Sequence, residues 1–532
     1  MNNLKKLLCQ INKNYKILIS VLLLLFILFE IIRMNLFYID LINDSDIAAE
    51  YLLAKVQSGE KSFFSPNWYY SYDIRVLFLQ FVASFLFLFT SNYYVVMGFT
   101  NIIWTIFYGM SYVFMLSSVK VKRENIIMTL PLVLTAFSKR TIYYMYGGGF
   151  YIPYLTWIFV CVGLLILGSR LDKKCPMYLA LLSVISFLLG LGGFRYMAIL
   201  FLPMFLGCSF LFFLESEKLS RKLWKQSRYF SYVIVSFISM VCSAIGFLIN
   251  QSYIKSHYPL ADMGDRDFVQ MADLASHFQS LSASFVQAFG YNGGADLFSP
   301  RGISNCFSFL FFILFVFAVC KLYKMAKKDA IDKELSVLLF IGIACFIVIC
   351  FILLFTGDIA DILYKYVIHS FIFTVITIAV YLNLEKETLQ KKLYLLGIIC
   401  IVIVLNKVSY DSTLTSDNGS LGRRGYVNFL VEEGYTYGYA SFWDCDITTF
   451  MCNNDTEVVP LWQTSTLEPY YWLARKDIFD KEYNENDEFF ILLSKGDLQG
   501  FINAGHDQNG KLVYEDDLYT IYLFDGKGLD FQ

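Results

Sequence analysis

Residues 74–90 read IRVLFLQFVASFLFLFT, a run apolar enough to enter a bilayer, and if it crossed, every later segment would change sides. The charges of the flanking loops decide the matter, because short cytoplasmic loops carry an excess of Lys and Arg. With 74–90 kept on one side, the segments expected in the cytoplasm are 1–17, 119–125, 169–175, 215–228, 321–334 and 383–392, which hold 23 Lys plus Arg in 69 residues. The opposite segments, 35–75, 139–149, 190–196, 250–303 and 356–366, hold 10 although together they are nearly twice as long. A crossing would export Lys120, Lys122, Arg123 and the run KLSRKLWKQSR. Residues 74–90 are therefore expected on the outer leaflet, or dipping into it.

Upstream, MNNLKKLLCQINKNYK precedes ILISVLLLLFILFEII with no small-residue cleavage site after Ile32, which predicts an uncleaved signal anchor. Further apolar stretches lie near 94–118, 126–138, 150–168, 176–191, 197–214, 229–250, 304–320, 335–355, 366–382 and 393–410, so about eleven transmembrane helices are expected. Composition agrees: the chain is 57% hydrophobic, only 17% charged, and has a mean hydropathy of +0.53, values that place most of it in lipid. The net charge of -2 conceals 35 basic and 23 acidic residues up to position 410, then 8 and 22 beyond it. Basic residues scattered over short loops, with no single stripe, argue against a nucleic-acid partner.

Residues 411–532 are acidic, rich in turns and contain the strand-like runs FFILLS (489–494) and YTIYLF (519–524). These predict a small exported domain of α/β or β-rich type. Cys445 and Cys452 fall in it, and the sequence leaves their pairing open. His257, His277, His369 and His506 are too dispersed for a metal motif. Asn418 and Asn454 begin N-x-S/T triplets, which mark surface loops.

Chemistry is expected in the non-cytoplasmic loops, of which 35–93 and 250–303 are long. The first contains Asp40, Asp44, Asp46 and Glu50 close behind the opening helix. If 46–57 is helical, Asp46 and Glu50 share a face one turn apart, and Ala, Leu and Val form another face able to lie on lipid. By local pattern alone, Asp44, Ser45 and Asp46 are ordinary helix N-cap residues.

One N-terminal helix, a first loop opening with an acid on a juxtamembrane helix and an apolar segment that does not cross together resemble the GT-C superfamily of membrane glycosyltransferases. The nearest resemblance is to its protein mannosyltransferase and aminoarabinose transferase branch. Asp46 and Ala54 match family positions eight residues apart, and AKVQSGE at 54–60 is similar to the short helix reaching a Gly; Ile47, Glu50 and SPNWYYSYDIRVL depart from the pattern. The resemblance implies residues 1–410 as a GT-C-like catalytic bundle and 411–532 as the exported domain. It implies transfer of a sugar from a polyprenyl-phosphate donor in the membrane lipid to a glycan, lipid or protein acceptor outside, usually with inversion. It leaves metal dependence open, because branches of the superfamily differ.

That reaction needs a carboxylate to take the acceptor's proton, for which Asp46 is the candidate and Asp44 the alternate. It needs fixed positive charge for the carrier phosphate. Arg195, set in LGLGGFRY, and Arg140 with neighbouring Lys139, ahead of YYMYGGGFY, are the candidates, with snorkelling to lipid headgroups as the plain alternative. Arg266 and Arg301 are weaker candidates. Glu50, Trp68, Tyr69 and Trp443 are candidate acceptor or sugar contacts, with Asp444 and Asp446 beside the last; interfacial anchoring and core packing explain the aromatics equally. Competing readings are a lipid-linked glycan transporter or flippase, a polysaccharide polymerase, and a noncatalytic assembly protein. Asp358 and Asp361 sit at a loop edge, not at the mid-membrane position a transporter favours.

Overall fold

The computed structural model describes the chain except residues 1, 73, 171–173, 217–226, 262–267, 329, 357–363, 416–418 and 532. Arg266, Asp358, Asp361, Asn418 and most of the KLSRKLWKQSR run lie outside the described residues. The chain forms two compact units, one of 1–32, 104–250 and 264–413, the other of 33–103, 251–263 and 414–532. The second is thus assembled from three separated stretches, and residues 33–103 fold with the C-terminal part of the chain.

Eight helices among the described residues are long and apolar enough to cross a bilayer: Tyr15–Phe37, Tyr93–Ser118, Met197–Ser216, Phe230–His257, Pro300–Ala326, Lys333–Phe355, Lys365–Leu384 and Leu389–Leu414. A ninth is supplied if Lys139–Gly147 and Ile152–Gly168, bent by 73° across their break, count as one span. This is fewer than the eleven expected. The stretch at 126–138 forms an 11-residue helix, Arg123–Val133, with Pro131 inside it, where the missing N–H and the ring work against continuation. The stretch at 176–191 forms Cys175–Leu191, 17 residues, about 26 Å long against a hydrocarbon core of about 30 Å.

Cys175–Leu191 packs on Phe230–Ile249 through small residues. A Cβ on Gly190 would lie 2.1 Å from the Ser243 carbonyl oxygen, and one on Gly246 would lie 2.3 Å from that of Phe187. Glycine at both places lets the two backbones touch, as in close helix crossings within membranes.

In the second unit, residues 74–90 form no span. Their helix, Leu79–Leu86, has eight residues, about 12 Å of length, too short by itself to cross a hydrocarbon core of about 30 Å. The C-terminal stretch builds a six-stranded mixed sheet. Its strands are β2 (Tyr437–Ser441), β3 (Glu457–Gln463), β4 (Glu468–Pro469), β6 (Glu488–Ser494), β7 (Lys511–Glu515) and β8 (Tyr519–Asp525), in the order β4-β3-β2-β6-β8-β7. β2 pairs in parallel with β3 and β6, and the other pairs are antiparallel. The helix Phe442–Met451 makes the β2-to-β3 crossover that parallel pairing requires. Period-two alternation feeds a core on each face: Phe490 and Leu492 of β6 enter one, and Phe489, Ile491 and Leu493 the other. A second, two-stranded ladder joins β1 (Trp68–Tyr69) to β5 (Ala474–Arg475), pairing Trp68 with Arg475 and Tyr69 with Ala474.

Candidate functional site

The helix Ser45–Glu60 carries the acids singled out in the sequence. Asp44 is its N-cap, with extended backbone and a carboxylate accepting from the Ile47 N–H at 3.0 Å. Asp46 stands in the first turn and is half-buried. The apolar residues expected to lie on lipid instead pack in protein. Ile47, Ala48, Leu52, Leu53 and Ala54 are buried, because Phe442–Met451 and Leu79–Leu86 cover the helix. Ser45 fixes the first of these contacts, its hydroxyl accepting from the Ile447 N–H at 3.4 Å.

Glu50 is only 4% exposed. Its Oε1 accepts from Arg75 Nη1 and its Oε2 from Gln80 Nε2, so this carboxylate ties the start of the 74–90 run to the helix. Arg75 also stacks its guanidinium 5.1 Å from the Phe78 ring centre. Asp444 is likewise engaged, with Arg423 at 3.1 Å and the Tyr519 hydroxyl at 3.2 Å. Trp443 is exposed, Tyr69 lies against Tyr471 and Phe479, and Trp68 is fully buried. Cys445 and Cys452 are buried free thiols.

Around Trp68 a partly enclosed cavity of about 180 Å³ is lined by Leu52, Lys55, Val56, Tyr93, Asp446, Asn454, Glu457, Ala474, Arg475 and Ile478. Burial, with the like charges of Glu457 and Asp46 adding to it, pushes the Asp446 carboxyl well above the usual carboxylate range. Asp46 therefore stands within electrostatic reach of Asp446, and also of Tyr470. Burial pushes Glu457 up to about 7, against the opposing charge of Arg475 at 3.5 Å. Among the described residues no cluster of three His, Cys, Asp or Glu is placed to hold a metal ion.

The raised Glu457 carries a pH signature. A carboxyl that binds its proton more tightly folded than unfolded stabilises the fold fully below its ordinary range and loses that contribution as pH rises through the folded value. The second unit should therefore melt at a lower temperature at pH 8 than at pH 5.5, and Glu457→Gln should flatten this difference. Thermal unfolding of the full chain, followed by tryptophan fluorescence across that range, checks it; an unaltered slope in the variant would refute the assignment.

The cationic candidates lie in the first unit. Lys139 and Arg140 open the bent helix pair behind a capping box at Ser138 and Thr141, and Arg140 Nη1 donates to Gln287 Oε1 at 2.6 Å. Gly147, Gly148 and Gly149 fall at the break, Gly149 with φ +74°. Arg195 follows Gly193, whose φ of +113° suits glycine, and lies 5.1 Å from the Tyr154 ring centre. Tyr154 in turn contacts Tyr196 and His369, and Tyr151 also contacts His369. Both cationic candidates thus precede π-helical stretches, Ile142–Gly147 and Met197–Phe201, a geometry enriched at functional sites. His369 is 3% exposed. A buried imidazole in a span is a functional candidate, which a lone His among apolar residues could not signal in sequence.

No family model matches the chain, and no curated protein matches it. Among solved structures, the apo oligosaccharyltransferase of Archaeoglobus fulgidus gives a TM-score of 0.50 at 12% identity, covering 94% of this chain and 74% of that one. ArnT from Cupriavidus metallidurans bound to undecaprenyl phosphate gives 0.41 at 11% identity, over 94% of this chain and 97% of that one. The same protein in the apo state gives 0.39 at 11% identity, over 90% and 93%. At 0.50 the archaeal likeness is one of fold: this chain is a polytopic helical membrane protein similar in fold to that structure, with a C-terminal strand-containing part.

Proposed function

We propose that the protein is a glycosyltransferase that moves a sugar from a polyprenyl-phosphate carrier to an acceptor hydroxyl outside the membrane, with Asp46 as the general base. In this reading the N-terminus is cytoplasmic and the second unit faces outward. The acceptor oxygen attacks the anomeric carbon, its proton passes to the Asp46 carboxylate, and the bond from that carbon to the carrier phosphate breaks to release polyprenyl phosphate. The carrier phosphate needs fixed positive charge, for which Arg195, Arg140 and Lys139 are the candidates within the first unit. The observation carrying the proposal is the division of labour on the Ser45–Glu60 helix: Asp44 performs the capping, so capping does not account for Asp46. The archaeal fold likeness supports the class.

A second reading, a transporter of lipid-linked glycans, is favoured by the span broken at Gly148–Tyr151 and by the buried His369, since transporters use discontinuous helices. The deciding experiment compares envelope glycan composition in cells lacking the protein and in cells restored with wild type or with Asp46→Asn at equal membrane abundance. Loss of a sugar that only wild type restores supports transfer; equal restoration by the variant overturns the role of Asp46 and moves transport ahead.

A further inference from the structure

The cavity around Trp68 contains polar groups that the proposed transfer does not use. The Trp68 indole is 1% exposed and Asp446 is 3% exposed; among the described residues neither Trp68 Nε1 nor Asp446 Oδ2 has a hydrogen-bond partner. Each such orphan ordinarily costs about 1–3 kcal/mol, and here both residues line the same partly enclosed space. The rest of the lining is also organised. Two successive asparagines, Asn453 and Asn454, adopt left-handed backbone with φ of 53° and 68°, a conformation asparagine tolerates better than most residues. From there Asn453 Oδ1 accepts from the Tyr93 N–H at 3.1 Å and Asn454 Oδ1 from the Tyr93 hydroxyl at 3.3 Å. The ladder between β1 and β5 holds Trp68 and Arg475 in register, and Tyr483 and Arg475 both reach Glu457.

We infer that this cavity binds one neutral, polyhydroxylated six-membered ring, held by a hydrogen bond from Trp68 Nε1 and by hydrogen bonding to Asp446, against the aromatic surfaces of Trp68 and Tyr93. Size supports a single ring: 180 Å³ is room for about six waters and falls short of the roughly 300–1,000 Å³ of sites for drug-sized ligands, so a polyprenyl chain or a longer glycan does not fit. At the two acids, charge supports neutrality. Burial shifts the Asp446 carboxyl toward its neutral form, which can donate, and Glu457 faces Arg475 at 3.5 Å, which leaves Lys55 as the lining cation without an acidic partner among the lining residues. A hydroxyl, which donates and accepts at once, serves both orphaned atoms. The inference goes beyond the proposed transfer, since it requires nothing of Asp46.

The test uses the purified full chain in lipid nanodiscs and ligand-observed saturation-transfer NMR. The neutral probes are methyl α-glucopyranoside and methyl α-mannopyranoside, and the charged ones are glucuronate and glucosamine. The expected result is saturable, millimolar binding of a neutral probe ahead of both charged ones. Trp68→Phe and Asp446→Leu should each weaken it about tenfold, the value of one buried hydrogen bond, while Asp446→Asn, which still donates and accepts, retains it. Should Asp446→Leu fail to fold, Trp68→Phe decides alone. Asp46→Asn should bind normally, which separates a failure of this inference from a failure of the transfer proposal. No saturable binding of a neutral probe, preference for a charged one, or indifference to Trp68→Phe would overturn it.

Discussion

Asp46→Asn is expected to lower sugar transfer by about 10²–10⁴-fold, the usual contribution of a positioned acid or base, with little change in folding. The amide keeps the shape of the carboxylate and removes its basicity. The control is two positions away. Asp44→Asn keeps a good N-cap acceptor and should leave turnover nearly unchanged, while Asp44→Ala should cost about 1 kcal/mol of stability without abolishing transfer. Turnover of purified variants on a short-chain polyprenyl-phosphate sugar, with folded fraction matched, distinguishes the two acids. If Asp46→Asn keeps more than one tenth of wild-type turnover, or if Asp44 proves the more sensitive position, the base has been misassigned.

The second large effect concerns stability. Arg75→Ala removes the guanidinium from a Glu50 carboxylate that is 4% exposed, and breaking such a buried pair from one side typically costs about 3–5 kcal/mol. For a unit of this size that corresponds to a fall in melting temperature of roughly 6–20 °C. Glu50→Gln should cost less, because the amide can still accept a hydrogen bond. The double variant Glu50→Met with Arg75→Met should recover much of the loss, since replacing both charges by apolar groups removes the uncompensated one. Melting of the three variants by tryptophan fluorescence gives the ranking. Equal stability of Arg75→Ala and wild type would mean that this pair does not anchor the 74–90 run.

Much of this arrangement was legible in the sequence, and the reasons are local. Hydropathy located the long apolar helices, because that signal is carried by contiguous residues, and the 74–90 run forms only an eight-residue helix. The strands FFILLS and YTIYLF were recovered as β6 and β8, their alternation serving two buried faces. Among the described residues eight or nine helices are long enough to span against the eleven expected, and run length alone could not show a helix stopping near Pro131. The site was harder. Asp46 became a candidate through the resemblance and Arg195 through its unusual placement, but Glu457 and Arg475 stand in EVVP and ARKD, which carry no recognisable spacing. They matter because the pairing of Trp68 with Arg475 brings together residues some four hundred positions apart, and no periodicity encodes such a contact. The sequence reading that offered Glu50 as a sugar contact likewise could not show it accepting from Arg75.

The three-part construction of the second unit bears on how the chain is made. Residues 33–103 leave the ribosome early, yet apart from the short stretch 251–263 their partners in the unit begin at residue 414. At about 5–20 residues per second, synthesis of 104–413 imposes a delay of roughly 15–60 s. Through that interval the Ser45–Glu60 helix has neither the Phe442–Met451 helix nor β5 to cover it, and Trp68 has no strand partner. The early segment must therefore be parked, on the lipid surface or by a chaperone, while the bundle is inserted. A premature stop after the last span would strand it there permanently, turning a folding intermediate into a target for quality-control proteolysis.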